Sequence, residues 1–401
     1  MSRKLVDPPD WREPEGDRVD TYRVKVITAM FGGGFATREV DRVCTIRPAA
    51  IRGHLRFWWR ATAGGAFATP EKLHEHEAAL WGDTGTPGRV AITVTDVEPG
   101  KEQVAGQIAG RARPGTGPGI GYFVWPFQAQ QAGIPEAAAR TGVEFTLGVA
   151  LRDPDDDAVA GVRRALKAWL TLGGIGARTR RGCGALRMEE PPARFAPPPG
   201  EPDLAGWLDE LAGQAAPGPP QHPTLSGGWL ARTSSPVNDA WRELAEFWAA
   251  FRKGHVGSVS YEPMSGGKWS DYRQTLVRWR PSDDPVELCK PFLGLPLNYQ
   301  RLPSAPFFGE IVSEKTGRMA SPVILRPVAF DDGEVRPVVL ALRAPAPAGV
   351  RVKKEARAVS LRVPPNEPVL RDLGVNDPLA AVRAAIKLRW GAEPISIGAQ
   401  P

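Results

Sequence analysis

Between Tyr22 and Leu186 the apolar residues switch between a period of two and a period of 3.6, and the order of those switches constrains the fold. Tyr22 to Thr28, YRVKVIT, alternates, with Tyr22, Val24 and Val26 on one face, and predicts a strand. Ile46 to Arg60 has helical spacing. Ile51, Leu55, Trp58 and Thr62 form one apolar stripe, and Pro48 suits the first turn. Residues 70–80 predict a second short helix, and Arg89 to Val97 and Val143 to Leu151 predict strands. A helix then opens at Asp155, Asp156 and Asp157, where acids meet the macrodipole. Its buried stripe is Val159, Val162, Leu166, Trp169 and Leu170, with Arg163, Arg164 and Lys167 opposite. It stops at Gly173-Gly174, and Cys183 to Leu186 leads into a last strand. With the short helix set aside, the succession is β-α-β-β-α-β, an α+β ferredoxin-like order.

Residues 191–223 carry PPARFAPPPG and APGPPQHP, the signature of a Pro-rich linker. Beyond it lies a helix from Asp239 to Phe251, with Trp241, Leu244, Trp248 and Phe251 as its buried stripe. Ser321 to Ala329 and Val335 to Arg343 pair as a hairpin around Asp331-Asp332-Gly333, and a final helix runs from Asp377 and Pro378 to Trp390. Patches of strand are expected within 257–290. The 401 residues divide into a flexible arm (1–20), a first domain (21–190), the linker (191–223) and a second α+β unit (224–401).

Two stretches carry chemistry. In the first helix, Arg52, Arg56 and Arg60 sit four apart and form a stripe beside the apolar one. No acid lies between Arg42 and Arg60, so the stripe is either solvated or lies against a polyanion. Trp58 and Trp59 interrupt it with flat surfaces for stacking; Trp58 is placed in the core and Trp59 toward the anion, with the division between core and stacking open. The second stretch is GGIGARTRRGCGAL (173–186), in which Arg178, Arg180 and Arg181 interleave with glycines. A glycine cap accounts for Gly173 and Gly174 but not for those arginines. The expectation is a cradle for a phosphate backbone, made of loop N–H groups and guanidiniums. The loop lacks GxxxxGK[ST] and follows a helix, which excludes a P-loop and a dinucleotide fingerprint. Gly32-Gly33-Gly34 reads as a turn or a close approach of another chain, and Gly121 to Phe127, GYFVWPF, as an aromatic strand that is either core or a base-stacking surface.

The remaining features exclude more than they assign. The net charge of +6 permits an anionic partner without requiring one. Cys44, Cys183 and Cys289 lack any C-x-x-C spacing, so neither a disulfide framework nor a zinc site is expected. His74 and His76 diverge on a helix, and Asp155, Asp156 and Asp157 are explained by capping; no metal and no cofactor is expected. The N-terminus has no apolar signal core and no stretch has membrane-spanning length, which reads as a soluble cytoplasmic protein.

ITAMFGGGF (27–35), IRPAAIRGHLRFWWRA (46–61) and GGIGARTRRGCGAL (173–186) resemble the RAMP superfamily of CRISPR effector proteins, in the combination found in the first RAMP subunit of the type III-B, or Cmr, complex. LGLPLNY (293–299) and RMASPVILRPV (318–328) are similar to that family's C-terminal segments. The resemblance implies two ferredoxin-like domains in tandem and no catalytic role. It also implies assembly with other RAMP subunits near the guide 3′ end, and contact with guide RNA, target RNA or both, in antiviral defence. Carried onto this sequence, the RNA-binding residues are Arg47, Arg52, His54, Arg56, Trp59 and Arg60 of the helix, and Gly173, Gly174, Gly176, Arg178, Arg180, Arg181, Gly182 and Gly184 of the loop. Two other readings stand beside it. One is a metal-independent RNA endonuclease with His54 or Tyr22 as general base; the other is a scaffold that touches only protein.

Overall fold

The computed structural model describes residues 18–110, 119–130, 133–232, 239–255, 269–271, 285–299, 309–354 and 356–398. Most of the arm expected at 1–20 and most of the strand patches expected within 257–290 lie outside the described residues. The first half contains β1 (Arg18–Val26), β2 (Met30–Phe31), α1 (Pro48–Ala61), α2 (Pro70–Trp81), β3 (Val90–Glu98), β4 (Lys101–Val104), α3 (Ala105–Ala109), α4 (Gly121–Val124), β5 (Ala138–Thr141), β6 (Glu144–Leu151), α5 (Asp156–Leu172) and β7 (Leu186–Met188). After α6 (Glu201–Ala212), the second half contains β8 (Thr224–Arg232), α7 (Ala240–Lys253), β9 (Val286–Glu287), β10 (Leu297–Tyr299), β11 (Gly309–Ser313), β12 (Val323–Ala329), β13 (Val335–Arg343), β14 (Gly349–Val352), β15 (Val359–Arg362), α8 (Pro368–Asp372), α9 (Pro378–Trp390) and β16 (Ile395–Ser396).

The main sheet of the first half runs β3-β6-β1-β7, and that of the second half runs β12-β13-β8-β16. Every pairing in both sheets is antiparallel. Numbered within its own half, each sheet has the order second, third, first, fourth, with one helix after the first strand and another after the third. The architecture is therefore repeated. Two smaller sheets are built from the insertions, β2-β5-β4 in the first half and β10-β11-β14-β15-β9 in the second.

One apolar core joins the halves. Val24, Leu147, Trp169 and Leu55 of the first half share a cluster with Ile324, Val328, Val338, Leu340 and Leu342 of the second. The intervening residues Val323, Leu325, Val339 and Ala341 point into another cluster under α7 and α9. Alternation along β12 and β13 thus serves two interiors, which is why VILRPVA and VVLAL read as unbroken apolar runs.

Local structure follows the sequence at most element ends. Pro48 opens α1, the Asp155 carboxylate accepts the Ala158 N–H at the start of α5, and Asp377 accepts from Leu379 and Ala380. Three expectations are corrected. Gly121 to Phe127 is not a strand but the helical turn α4 followed by a 3-10 turn over Trp125–Phe127. Its N–H groups bond locally, Phe123 to the Ile120 carbonyl and Gln128 to that of Trp125, and Pro126 has none to give to a ladder. The segment 191–223, expected as a linker, is a packed connection. Leu204, Trp207, Leu208 and Leu211 form a helical stripe on α6 and join the common core. Lys167, expected on the outer face of α5, is covered by the same helix. Its ammonium lies 4.6 Å from the centre of the Trp207 ring and 3.8 Å from Glu210. Among the described residues no helix is long and apolar enough to cross a membrane.

Candidate nucleic-acid interface

The arginine stripe of α1 is not bare: each of its guanidiniums has a partner within the chain. Helix α2 brings Glu77, 5% exposed, between Arg56 and Arg60. The Arg56 Nε donates to its Oε1 at 2.7 Å and the Arg60 Nη1 at 2.5 Å. Arg52 donates to the carbonyls of Trp81 and Val90, and Arg56 also to that of Gly82. Arg47 is paired with Asp41 at 2.5 Å; that guanidinium and the N–H groups of Cys44 and Val43 hold the Asp41 carboxyl at about 2. The counter-charge for the stripe comes from the next helix, beyond the window in which no acid occurs. Glu77→Ala leaves two half-buried guanidiniums facing each other. The expected cost is about 1–3 kcal/mol, reduced from the fully buried case by solvent at the arginines. An unchanged urea midpoint would contradict it.

The two tryptophans of α1 are both in the core. Trp58 is 3% exposed and Trp59, expected on the outer side, is 5% exposed against Phe67 and beside Gly161. His54 is half-buried and stacks on Trp169 at 6.3 Å, and burial lowers its pKa. Tyr22, the other candidate base, is buried against Phe195.

The glycine loop after α5 is used differently from the cradle expected of it. Several of its N–H groups are already bonded within the chain. Ile175 donates to the Gly184 carbonyl, Ala177 to that of Phe31, Gly182 to that of Thr179 and Gly184 to that of Ala29. Its glycines answer to close packing. Gly182 has φ +75° with the Trp241 indole against it, and Gly184 has φ +62° with the Ile175 carbonyl where a Cβ would stand. Gly173, Gly174 and Gly176 are crowded likewise by Trp58, Gly184 and Phe31.

What the loop presents is its arginines. The 3-10 turn Thr179–Arg181 packs against β12. Arg178 donates to the Phe123 carbonyl at 2.8 Å, Arg180 to that of Ser321, and Arg181 to that of Val323 at 2.8 Å. Aromatic rings brace two of them, Phe57 under Arg180 at 5.2 Å and Trp248 under Arg181 at 4.9 Å. Burial lowers the pKa of all three, to about 10 for Arg180 and about 9 for Arg181, where Arg178 and Arg252 add like-charge repulsion. Arg252, in the last turn of α7, has no hydrogen bond or ion pair among the described residues.

These four arginines line one cleft of about 1020 Å³ between the halves. Its opposite wall is Leu293 to Asn298 and Met319 to Ser321. No acid is among the described residues that line it. Each guanidinium has five N–H donors and the carbonyls use at most two of them, so donors and charge are left for an anion. The cleft thus brings Arg178, Arg180 and Arg181 together, while Arg47, Arg52, Arg56, Arg60 and Trp59 are engaged elsewhere. Sequence reasoning missed Arg252, which also lines it, as does Trp125 of the aromatic run 121–127 that was left open between core and base stacking. A basic residue closing a helix reads as a partner for the dipole, and only the fold shows where it points.

The second half also holds a carboxylate and thiol cluster. Asp271, Cys289 and Glu367 bring possible ligand atoms within 4.8 Å of one another, all buried. Backbone hydrogen bonds account for the arrangement. Asp271 accepts from the N–H groups of Cys289 and Lys290, and Glu367 from those of Ser270 and Val369. Burial raises the Cys289 pKa, which disfavours the thiolate a metal needs.

Residues 23–187, the stretch from β1 to β7, match the model of the RAMP superfamily. Its relatives are more specific. The chain is 28% identical over 174 residues to the CRISPR system Cmr subunit Cmr1-1 of Pyrococcus furiosus, across 42% of this chain and 47% of that protein. It is 26% identical over 179 residues to Cmr1-2 of the same organism, across 42% of this chain and 94% of that one. The match therefore spans about half the length of the first relative. A crystal structure of Cmr1 from Pyrococcus furiosus in its apo form shares the fold, with a TM-score of 0.53 at 16% identity over 84% of this chain and 92% of that one.

Proposed function

We propose that the chain is a non-catalytic, RNA-binding RAMP subunit of a type III-B CRISPR ribonucleoprotein, built from two ferredoxin-like units in tandem. The RNA lies in the cleft between them. One observation carries the reading: four arginines converge there with no carboxylate among the described lining residues. Uncompensated charge in a partly dehydrated groove is costly to the free protein and favours a polyanion. Contacts of this kind hold a phosphate backbone without reading bases, and leave sequence to pairing between guide and target RNA. The similarity to Cmr1 subunits supports placing the chain beside other RAMP subunits in antiviral defence. The endonuclease reading loses support, because His54 has no hydrogen-bond partner among the described residues to orient it as a base.

The test is RNA binding against salt. Removing Arg178, Arg180 and Arg181 together would also break their hydrogen bonds to Phe123, Ser321 and Val323, so weakened binding by that triple variant could reflect weakened structure. Arg252→Ala avoids this, since Arg252 has no such partner. It is expected to weaken binding of a short oligouridylate several-fold and to lower the log–log salt slope by about 0.7, one phosphate contact. Unchanged affinity and slope would remove Arg252 from the interface. No salt-dependent binding by the wild-type chain would refute the RNA reading itself.

A further inference from the structure

We infer that Trp125 is a stacking platform for a base of single-stranded RNA, at the edge of the arginine cleft. The inference rests on the RNA-binding reading above and adds to it the state of the RNA and a residue that touches bases. Trp125 is 53% exposed, although Phe123 and Val124 beside it are fully buried. It lines the same cleft as Arg178, Arg180, Arg181 and Arg252.

The turn that carries Trp125 is held rigidly from behind. Arg38 reaches across from the loop after β2 and donates to the carbonyls of Pro126 at 2.9 Å, Phe127 at 2.8 Å, Gln128 at 2.5 Å and Pro135 at 2.7 Å. To do so it adopts φ +73°, a region that few residues other than glycine enter. Phe127 stacks on Phe31 with ring centres 4.1 Å apart and planes 11° apart. The neighbours of Trp125 are thus fixed, and its own indole is left to solvent. A large aromatic on a rigid mount gives up little freedom when it binds. In a groove that draws in phosphates, the complementary flat surface is a nucleobase, and the base must be unpaired to reach it.

The experiment compares wild type, Trp125→Phe and Trp125→Ala as full chains, using fluorescence anisotropy with labelled oligouridylate, the same strand with abasic positions, and duplex RNA. Because the indole is exposed, Trp125→Ala should keep the wild-type Tm. It should weaken oligouridylate binding by about 5-fold or more, the scale of one lost base stack. The salt slope should hold, since no phosphate contact is lost. Trp125→Phe should recover most of the affinity. On the abasic strand and the duplex the two variants and the wild type should bind alike. Two results overturn the inference: equal binding of oligouridylate by Trp125→Ala and wild type, which would assign the indole to a protein neighbour, or an equal loss on the abasic strand. Either can occur while Arg252→Ala still lowers the slope, so failure here is distinct from failure of the RNA reading.

Discussion

Arg326→Ala is expected to destabilise the protein by about 3–5 kcal/mol, the largest loss anticipated for any single residue discussed above. Arg326 lies on β12, is 1% exposed, and has no carboxylate partner among its contacts. Its guanidinium donates to the carbonyls of Gly173, of Leu186 at 3.0 Å and of Pro327 at 3.1 Å. Two of those carbonyls belong to the first half, so this side chain ties the second sheet to the end of α5 and to β7. Two effects compete. Burying the charge is unfavourable, and burial holds its pKa at about 9. Removing the side chain strands buried carbonyls and leaves a cavity. The second effect is larger, because several acceptors lose their partner at once. Arg326→Met, which fills the space and relieves the buried charge, should cost less than the alanine variant. Urea unfolding followed by circular dichroism would measure both, and a loss under 1 kcal/mol for Arg326→Ala would contradict the argument.

Reversing a charge in the cleft should have the largest effect on binding. Arg252→Glu both removes a donor and places a carboxylate where a phosphate would lie. The expected loss is about 2–4 kcal/mol at low salt, roughly 30- to 1000-fold, and it should shrink as salt screens the repulsion. Stability should change little, since Arg252 makes no hydrogen bond among the described residues. Anisotropy titrations at two salt concentrations would decide. A loss no greater than that of Arg252→Ala would mean that no phosphate comes near this position.

Much of the fold was legible because local signals agree with tertiary demands. The period-2 strands, the capped helices and the 331–333 turn all lie where patterning places them. Composition misled at 191–223, where prolines flank the Leu204–Leu211 stripe and drew attention from its 3-4 spacing. The aromatic run at 121–127 misled because ring content says nothing of where backbone donors go. The site was half legible. Arg178, Arg180 and Arg181 stood out, since glycines do not explain them. The partners of the α1 stripe did not, because Glu77 lies on a different helix and only packing brings it to Arg56 and Arg60. Arg252 acquires meaning only once two distant segments form one wall, and the same wall singles out Trp125 within the aromatic run.

The shared core also bears on how the chain comes off the ribosome. Ile324, Val338 and Leu340 complete the interior that Val24, Leu55 and Trp169 begin, some 150 residues or more earlier in synthesis. Until β12 and β13 emerge, the first half displays an apolar surface with nothing to cover it, a state open to misassembly. The two halves share a plan, yet the first acquires its finished interior only when the second arrives.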